Sequence, residues 1–288
     1  MKRIGLIGAG IMASGMAVNF LKAKYPVMIW NRSYSKLEPL LDVGAINGSS
    51  PKEVTNWADI VIECVSDDQA SRSVWLGDNG ILAAANRDKV LIASSSLSLD
   101  WIDELAGNAI KQGYQFMDMP LTGSRVGAEN GTLRLLVGGS EVVLDSIREQ
   151  LKVISEKIYY FGPAGSGMRF KLMLNSLIGI HMNAAAQAQS LAQKAGIDPE
   201  SFAQALIDGS MGPASPSTKL VFESKKWPEG KVNFSAELLE KDLKYAQAMA
   251  SKYNFNFDLL NDTHHDYSEL NETNSGLIDV TAIGRLFK

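Results

Sequence analysis

An apolar run at residues 4–7 breaks off at Gly8-Ala9-Gly10, and an apolar-periodic helix pattern begins at Ile11. Strand, glycine turn and helix in that order are the strongest constraint in the chain. Gly8 permits the tight turn, Gly10 lets backbone approach a pyrophosphate, and a small third residue, Ala13, allows close helix packing. The helix N-terminus then faces an anion. Gly8, Gly10, Ile11 and Met12 are therefore candidate dinucleotide-binding residues. The same stretch superficially mimics a secretory signal, with Lys2-Arg3 ahead of the uncharged run 4–21. Its glycines at 5, 8, 10 and 15, and Lys22-Ala23-Lys24-Tyr25 in place of a cleavage site, argue against that. A cytoplasmic protein without a membrane anchor is expected.

Behind this start, short apolar runs alternate with helix-length patterns up to about residue 162. Strands are expected at 4–7, 27–30, 60–65, 89–93, 114–117, 133–137 and 158–161. Helices are expected at 11–24, after Ser50-Pro51-Lys52-Glu53, which has the form of a capping box, and at 99–111 behind Ser98. That rhythm implies right-handed crossovers and a mostly parallel, doubly wound sheet. After Gly162-Pro163-Ala164-Gly165 the pattern changes. One long helix is expected from Ser166 to about residue 195, ended by Gly196, with Gly179 inside it at a cost of ~1 kcal/mol against Ala. Helices at 199–208, at 236–253 behind Ser235, and from Asp258 onward follow, with a glycine–proline loop at 209–216. The fold class expected is α/β: a Rossmann domain over residues 1–162, then an all-helical domain over 163–288.

Composition narrows the function. With 288 residues and 45% hydrophobic content the chain fills two cores, which excludes disorder as a whole-chain reading. A net charge of −4 and the lack of a dense Lys/Arg run argue against nucleic acid. Cys64 stands alone, so no internal disulfide forms, and the three histidines show no metal-ligand spacing.

Further motifs carry chemistry. Asn31-Arg32-Ser33 ends the second strand, where an NAD site places an acid for the ribose 2′-hydroxyl; Arg32 and Ser33 suit a 2′-phosphate instead, so NADP is favoured over NAD. Thr122-Gly123-Ser124 follows a strand and offers hydroxyls and glycine amides to a small carboxylate, or is a plain turn. Lys171 and Asn175 lie four apart on one helix face, where a lysine is ordinarily solvated. Glu240-Lys241-Asp242 reads as an exposed face with local ion pairs.

These segments together resemble the β-hydroxyacid dehydrogenase family, which includes 3-hydroxyisobutyrate dehydrogenases and the glyoxylate and succinic semialdehyde reductases. The resemblance runs from Ile4 to Leu286 and rests on five ordered motifs. It implies that Lys171 is the catalytic acid/base and that Asn175, one turn on, helps hold substrate. Thr122, Gly123 and Ser124 match the loop for the substrate carboxylate. Ser95 and Ser96 match a pair at a strand end beside substrate and nicotinamide, Val65 and Ser66 a segment under the ribose, and Lys241 a lysine near the cofactor ring. Departures are Ala13, Ser96 for Thr, Thr122 for Ser, Ala93 for Asp and Gln187 for Glu. Arg125 either adds a carboxylate partner or faces solvent.

The resemblance implies an NADPH-dependent oxidoreductase that reduces a small aldehyde or keto acid, of semialdehyde or glyoxylate type, and reversibly oxidises the matching hydroxyacid. A homodimer or homotetramer is implied, with no nucleic acid, membrane or metal as partner. Two alternatives stand beside it. An imine reductase shares the scaffold but commonly has Asp or Tyr in place of Lys171. A non-catalytic NADP-binding interaction protein would be marked by loss of that lysine.

Overall fold

Ile4–Ile7, buried on both faces, forms β1 at the centre of a nine-stranded sheet in the computed structural model. The structure describes residues 1–84, 87–208, 216–224, 228, 230–274 and 277–287. The chain divides into two units, Met1–Lys171 and Leu172–Lys288.

In the first unit β1 is joined by β2 (Val27–Trp30), β3 (Ile46–Asn47), β4 (Ile60–Glu63), β5 (Val90–Ala93) and β6 (Gln115–Asp118). β7 (Leu121–Thr122), β8 (Leu133–Gly139) and β9 (Ser155–Tyr160) complete it. The order is β3-β2-β1-β4-β5-β6-β8-β7, with β9 also pairing β8. β3 to β6 along that path are parallel, whereas β8 runs antiparallel to β6 and β7. β1, β4 and β5 carry unbroken buried runs, as parallel strands covered on both faces must. The helices are α1 (Ile11–Lys22), α2 (Glu38–Leu41), α3 (Pro51–Trp57), α4 (Asp68–Trp75), α5 (Leu99–Lys111), α6 (Ser124–Asn130) and α7 (Glu141–Leu151). α1 buries Ala13, Met16, Ala17 and Phe20, and lies so close to α6 that a Cβ on Gly15 would sit 2.6 Å from the Ala128 carbonyl.

Several expectations need correction. β4 stops at Glu63, two residues early, because the Val65 N–H turns out of the sheet to the Ser95 hydroxyl. β3, β7, α2, α4, α6, α7 and the helix at Pro216–Glu223 are not legible as elements in the sequence. Ser50 accepts the Glu53 N–H as a cap should, but the Glu53 carboxylate reaches back to Ser49 rather than to Ser50. Ser235 stands at the start of a helix without a side-chain cap bond, its backbone engaged in a bridge with Asp279.

α8 (Ser166–Lys194) begins in the first unit and runs through the boundary. The second unit adds α9 (Pro199–Asp208), α10 (Pro216–Glu223), α11 (Ala236–Lys252) and α12 (Asp258–Thr273). Its core gathers Met182, Leu239, Leu243, Leu260, Tyr267 and Leu270. Gly179 has a packing reason: an added Cβ would press on Leu243 of α11 at 3.2 Å and Thr263 of α12 at 3.3 Å. Gly196, at φ +82°, ends α8. Most of the loop expected at 209–216 lies outside the described residues. Among the described residues no helix is long and apolar enough to cross a membrane.

Candidate active site

β1 has β2 on one side and β4 on the other, so successive crossovers depart in opposite directions. A crevice for a ligand opens at the C-terminal ends of strands where the order reverses. The glycine turn lies there. Gly8 adopts φ +109°, and a Cβ on it would fall 2.1 Å from the Cys64 carbonyl oxygen. A Cβ on Gly10, by contrast, would meet nothing within 4 Å, which leaves the backbone open to a ligand. α1 starts without a side-chain cap and without an acid in its first turn, so its positive end is available to a phosphate. Ile11 and Met12 open that helix. Asn31 ties the turn to β2: its Oδ1 accepts the Ala9 N–H at 3.1 Å while its Nδ2 donates to the Ser33 carbonyl at 2.9 Å. Arg32 and Ser33 stay exposed. Steric room, open amides and a nearby cation fit a dinucleotide phosphate.

At the ends of β4 and β5 the Val65 N–H donates to Ser95 Oγ at 2.7 Å, and that hydroxyl donates to Glu63 Oε2 at 2.8 Å. Glu63 is fully buried, and desolvation pushes its carboxyl up to about 7 against the pull of the Ser95 bond. Desolvation, with the Glu63 charge beside it, pushes the Cys64 thiol up to about 12. Ser66 is exposed and donates to Asp67 Oδ2; Ser96 is half-buried.

At the end of β6, buried Asp118 accepts the Gly165 N–H at 2.6 Å and the Met168 N–H at 2.7 Å, which caps the start of α8. Burial raises its carboxyl to about 6, with the two N–H bonds pulling the other way. Thr122 is half-buried on β7, Gly123 has φ +126°, and Ser124 is held at φ +55°, a conformation that favours glycine. Arg125 is partly exposed on α6, its guanidinium 3.9 Å from Glu129.

Lys171 on α8 is only 8% exposed, not a solvated lysine. Asn175 follows one turn later, buried, with Nδ2 donating to Asp242 Oδ2 at 2.5 Å and Oδ1 buried without a hydrogen-bond partner. Asp242 is also buried and pairs with Lys241 Nζ at 2.9 Å, so this segment is not simply an exposed charged face. Lys241 also lies over the Tyr245 ring. Gln187 belongs to another polar chain, donating to Asn183, which donates to Asp266. The structure thus joins Val65 with Ser95, the glycine turn with Asn31, and Asn175 with Lys241 through Asp242. Sequence reading passed over Glu63, although an acid inside an apolar strand run is itself a signal.

Known proteins agree with this architecture. Residues 3–162 match the NAD binding domain of 6-phosphogluconate dehydrogenase, and residues 165–287 match the NAD-binding domain of NADP-dependent 3-hydroxyisobutyrate dehydrogenase. The oxidoreductase YkwC of Bacillus subtilis is 32% identical over 73% of this chain and 73% of its own length. Glyoxylate/succinic semialdehyde reductase 2 of Arabidopsis thaliana is 31% identical over 72% of this chain and 58% of its own. Cytokine-like nuclear factor N-PAC of Xenopus tropicalis is 26% identical over 99% of this chain, which spans about half (53%) of that relative's length. Among solved structures, 3-hydroxyisobutyrate dehydrogenase of Mycobacterium tuberculosis with L-serine superposes with a TM-score of 0.88 at 25% identity, covering 100% of this chain and 99% of that one. With both halves matched and the sheet order in place, the chain belongs to the β-hydroxyacid dehydrogenase family and is an NAD(P)-dependent oxidoreductase.

Proposed function

We propose that the enzyme is an NADPH-dependent reductase of a small aldehyde or keto acid, of semialdehyde or glyoxylate type, that reversibly oxidises the matching hydroxyacid. The observation that carries this reading is Lys171, a lysine only 8% exposed, one helical turn before an asparagine whose carbonyl oxygen is buried without a hydrogen-bond partner. A surface lysine has no need of burial, and an unpaired buried acceptor suits a bound hydroxyl.

When bound, the dinucleotide supplies or accepts the hydride. Lys171 Nζ gives a proton to the carbonyl oxygen during reduction and takes it back during oxidation, a role typically worth 10²–10⁴-fold. Asn175 Oδ1 accepts from the hydroxyl of the hydroxyacid or from a neighbouring hydroxyl, and Asp242 fixes its amide. Thr122, Gly123 and Ser124 hold the substrate carboxylate, with Ser95 beside them, and Lys241 adds a positive charge beside substrate and cofactor. Gly8, Gly10, Ile11 and Met12 take the pyrophosphate, and Val65, Ser66 and Ser96 line the ribose and nicotinamide. The preference for NADPH follows from exposed Arg32 and Ser33 and the lack of an acid at the end of β2, with Asn31 bracing that turn. Residues 1–162 form the NADP-binding part and residues 163–288 the part for substrate and assembly, as a homodimer or homotetramer.

A panel of glyoxylate, succinic semialdehyde, 3-hydroxyisobutyrate and a cyclic imine, each with NADPH or NADP⁺, tests the reading. Turnover of a carbonyl or hydroxyacid but not of the imine supports it. Imine reduction alone would replace it with the imine reductase reading, and binding without turnover with that of an interaction protein.

A further inference from the structure

β4 ends on an acid that the proposed chemistry leaves unused. Glu63 has no exposed surface. Its Oε2 accepts from Ser95, while Oε1 is buried without a hydrogen-bond partner. The Ser71 hydroxyl and the Trp75 indole face the carboxyl from outside bonding geometry. Ser71 in turn accepts the Trp101 Nε1–H at 2.9 Å. An acid in a strand covered on both faces is costly to bury, and a valine or isoleucine would pack β4 without that cost. Among these groups, Ser95 is the one that reaches the carboxyl in hydrogen-bonding geometry.

What the carboxyl provides is direction. The Ser95 hydroxyl sits between an N–H that it must accept and an oxygen to which it must donate. With Oε2 as acceptor its hydrogen points away from Val65, and a lone pair faces the Val65 N–H. That N–H has left the sheet and would otherwise be an unpaired backbone donor. The relay thus pins the residues after β4 to those after β5, at the carboxyl ends of two parallel neighbours. Glu63 and Ala93 are register partners in this strand pair, so the relay sits at its last rung.

We propose that Glu63 is a positioning residue for the nicotinamide cofactor, acting through Ser95 Oγ to fix the Val65–Ser66 and Ser95–Ser96 turns against which the dinucleotide lies. This rests on the cofactor placement given under the proposed function. Glu63 touches neither substrate nor cofactor.

The test is the dissociation constant of NADPH, and of NADH, for the full chain and for Glu63→Gln, Glu63→Leu, Ser95→Ala and the double variant Glu63→Leu/Ser95→Ala, with thermal melting of each. Glu63→Gln keeps an acceptor oxygen for Ser95 and holds binding within about threefold, a conservative rescue that a purely electrostatic role would not allow. Glu63→Leu and Ser95→Ala each weaken binding about tenfold, the scale of one lost hydrogen-bond partner. The double variant is no weaker than the weaker single one, because both break the same link. If Glu63→Leu does not fold, Glu63→Val takes its place. Wild-type affinity in the leucine or valine variant, or losses that multiply to about a hundredfold in the double variant, overturns the inference. A wild-type chain that binds neither dinucleotide overturns the cofactor placement itself, a result distinct from the other two.

Discussion

Arg32 stands exposed at the end of β2, where Asn31 braces the glycine turn behind it. A guanidinium there forms charge-assisted bonds to a 2′-phosphate, and an acid in its place repels one. Arg32→Asp is expected to weaken NADPH binding about tenfold or more while leaving NADH binding nearly unchanged or improved. Titration with both dinucleotides checks this. Glu63 makes a prediction in pH. Its folded-state value is about 7 against an ordinary 4.5, so the folded protein holds that proton more tightly than the unfolded chain. Its contribution to stability, relative to a non-titrating amide, is fully present below pH 4.5 and lost as pH rises through 7. Wild type should therefore gain on Glu63→Gln by about 3 kcal/mol between pH 8 and pH 4, at about 1.4 kcal/mol per pKa unit. Denaturant melts of both proteins at several pH values read this difference, and parallel pH curves would refute it. At this scale residue type was legible and environment was not. Lys171 and Asp242 look like surface charges in the sequence, because their burial depends on residues far along the chain. Arg125 is partly exposed on α6, near Glu129.

Asp118 does at the level of elements what Asn31 does for a turn. It ends β6, and its carboxylate oxygens accept the N–H of Gly165, just before α8, and of Met168 in the first turn of that 29-residue helix. Asp118→Ala leaves those donors buried and unpaired, at about 1–3 kcal/mol for each. The variant should melt several degrees below wild type, and an unchanged melting temperature would show that the cap is dispensable. The sequence made the long strands and α8 legible because unbroken apolar runs and an absence of breakers are local signals. It hid α6, whose Gly127 and flanking Gly123 and Gly131 read as turn residues. What holds α6 is not propensity but Gly15 of α1, which lets the Ala128 backbone approach. The expected end of β4 missed by two residues for a similar reason, since the Ser95 hydroxyl that draws off Val65 lies 30 residues away in sequence.

For the whole molecule, the two matched halves fix family and cofactor class, while the substrate depends on the proposed carboxylate loop. That loop is Thr122-Gly123-Ser124, with Ser124 held at φ +55°. Assembly is a second property at this scale. A homodimer or homotetramer is expected, so light scattering at micromolar concentration should give two or four times 31.3 kDa, and a monomer mass would reject it. The central claim concerns Lys171. Lys171→Ala should fold, since alanine is the best helix former, and it should bind NADPH, since the glycine turn is untouched. Lys171→Arg should not restore turnover, because a guanidinium keeps its proton and cannot act as the base. The most direct measurement is kcat for Lys171→Ala beside its NADPH dissociation constant. The account predicts a kcat at least about 10²-fold below wild type with affinity for NADPH retained; a kcat near wild type would contradict it and move the proton transfer to another group.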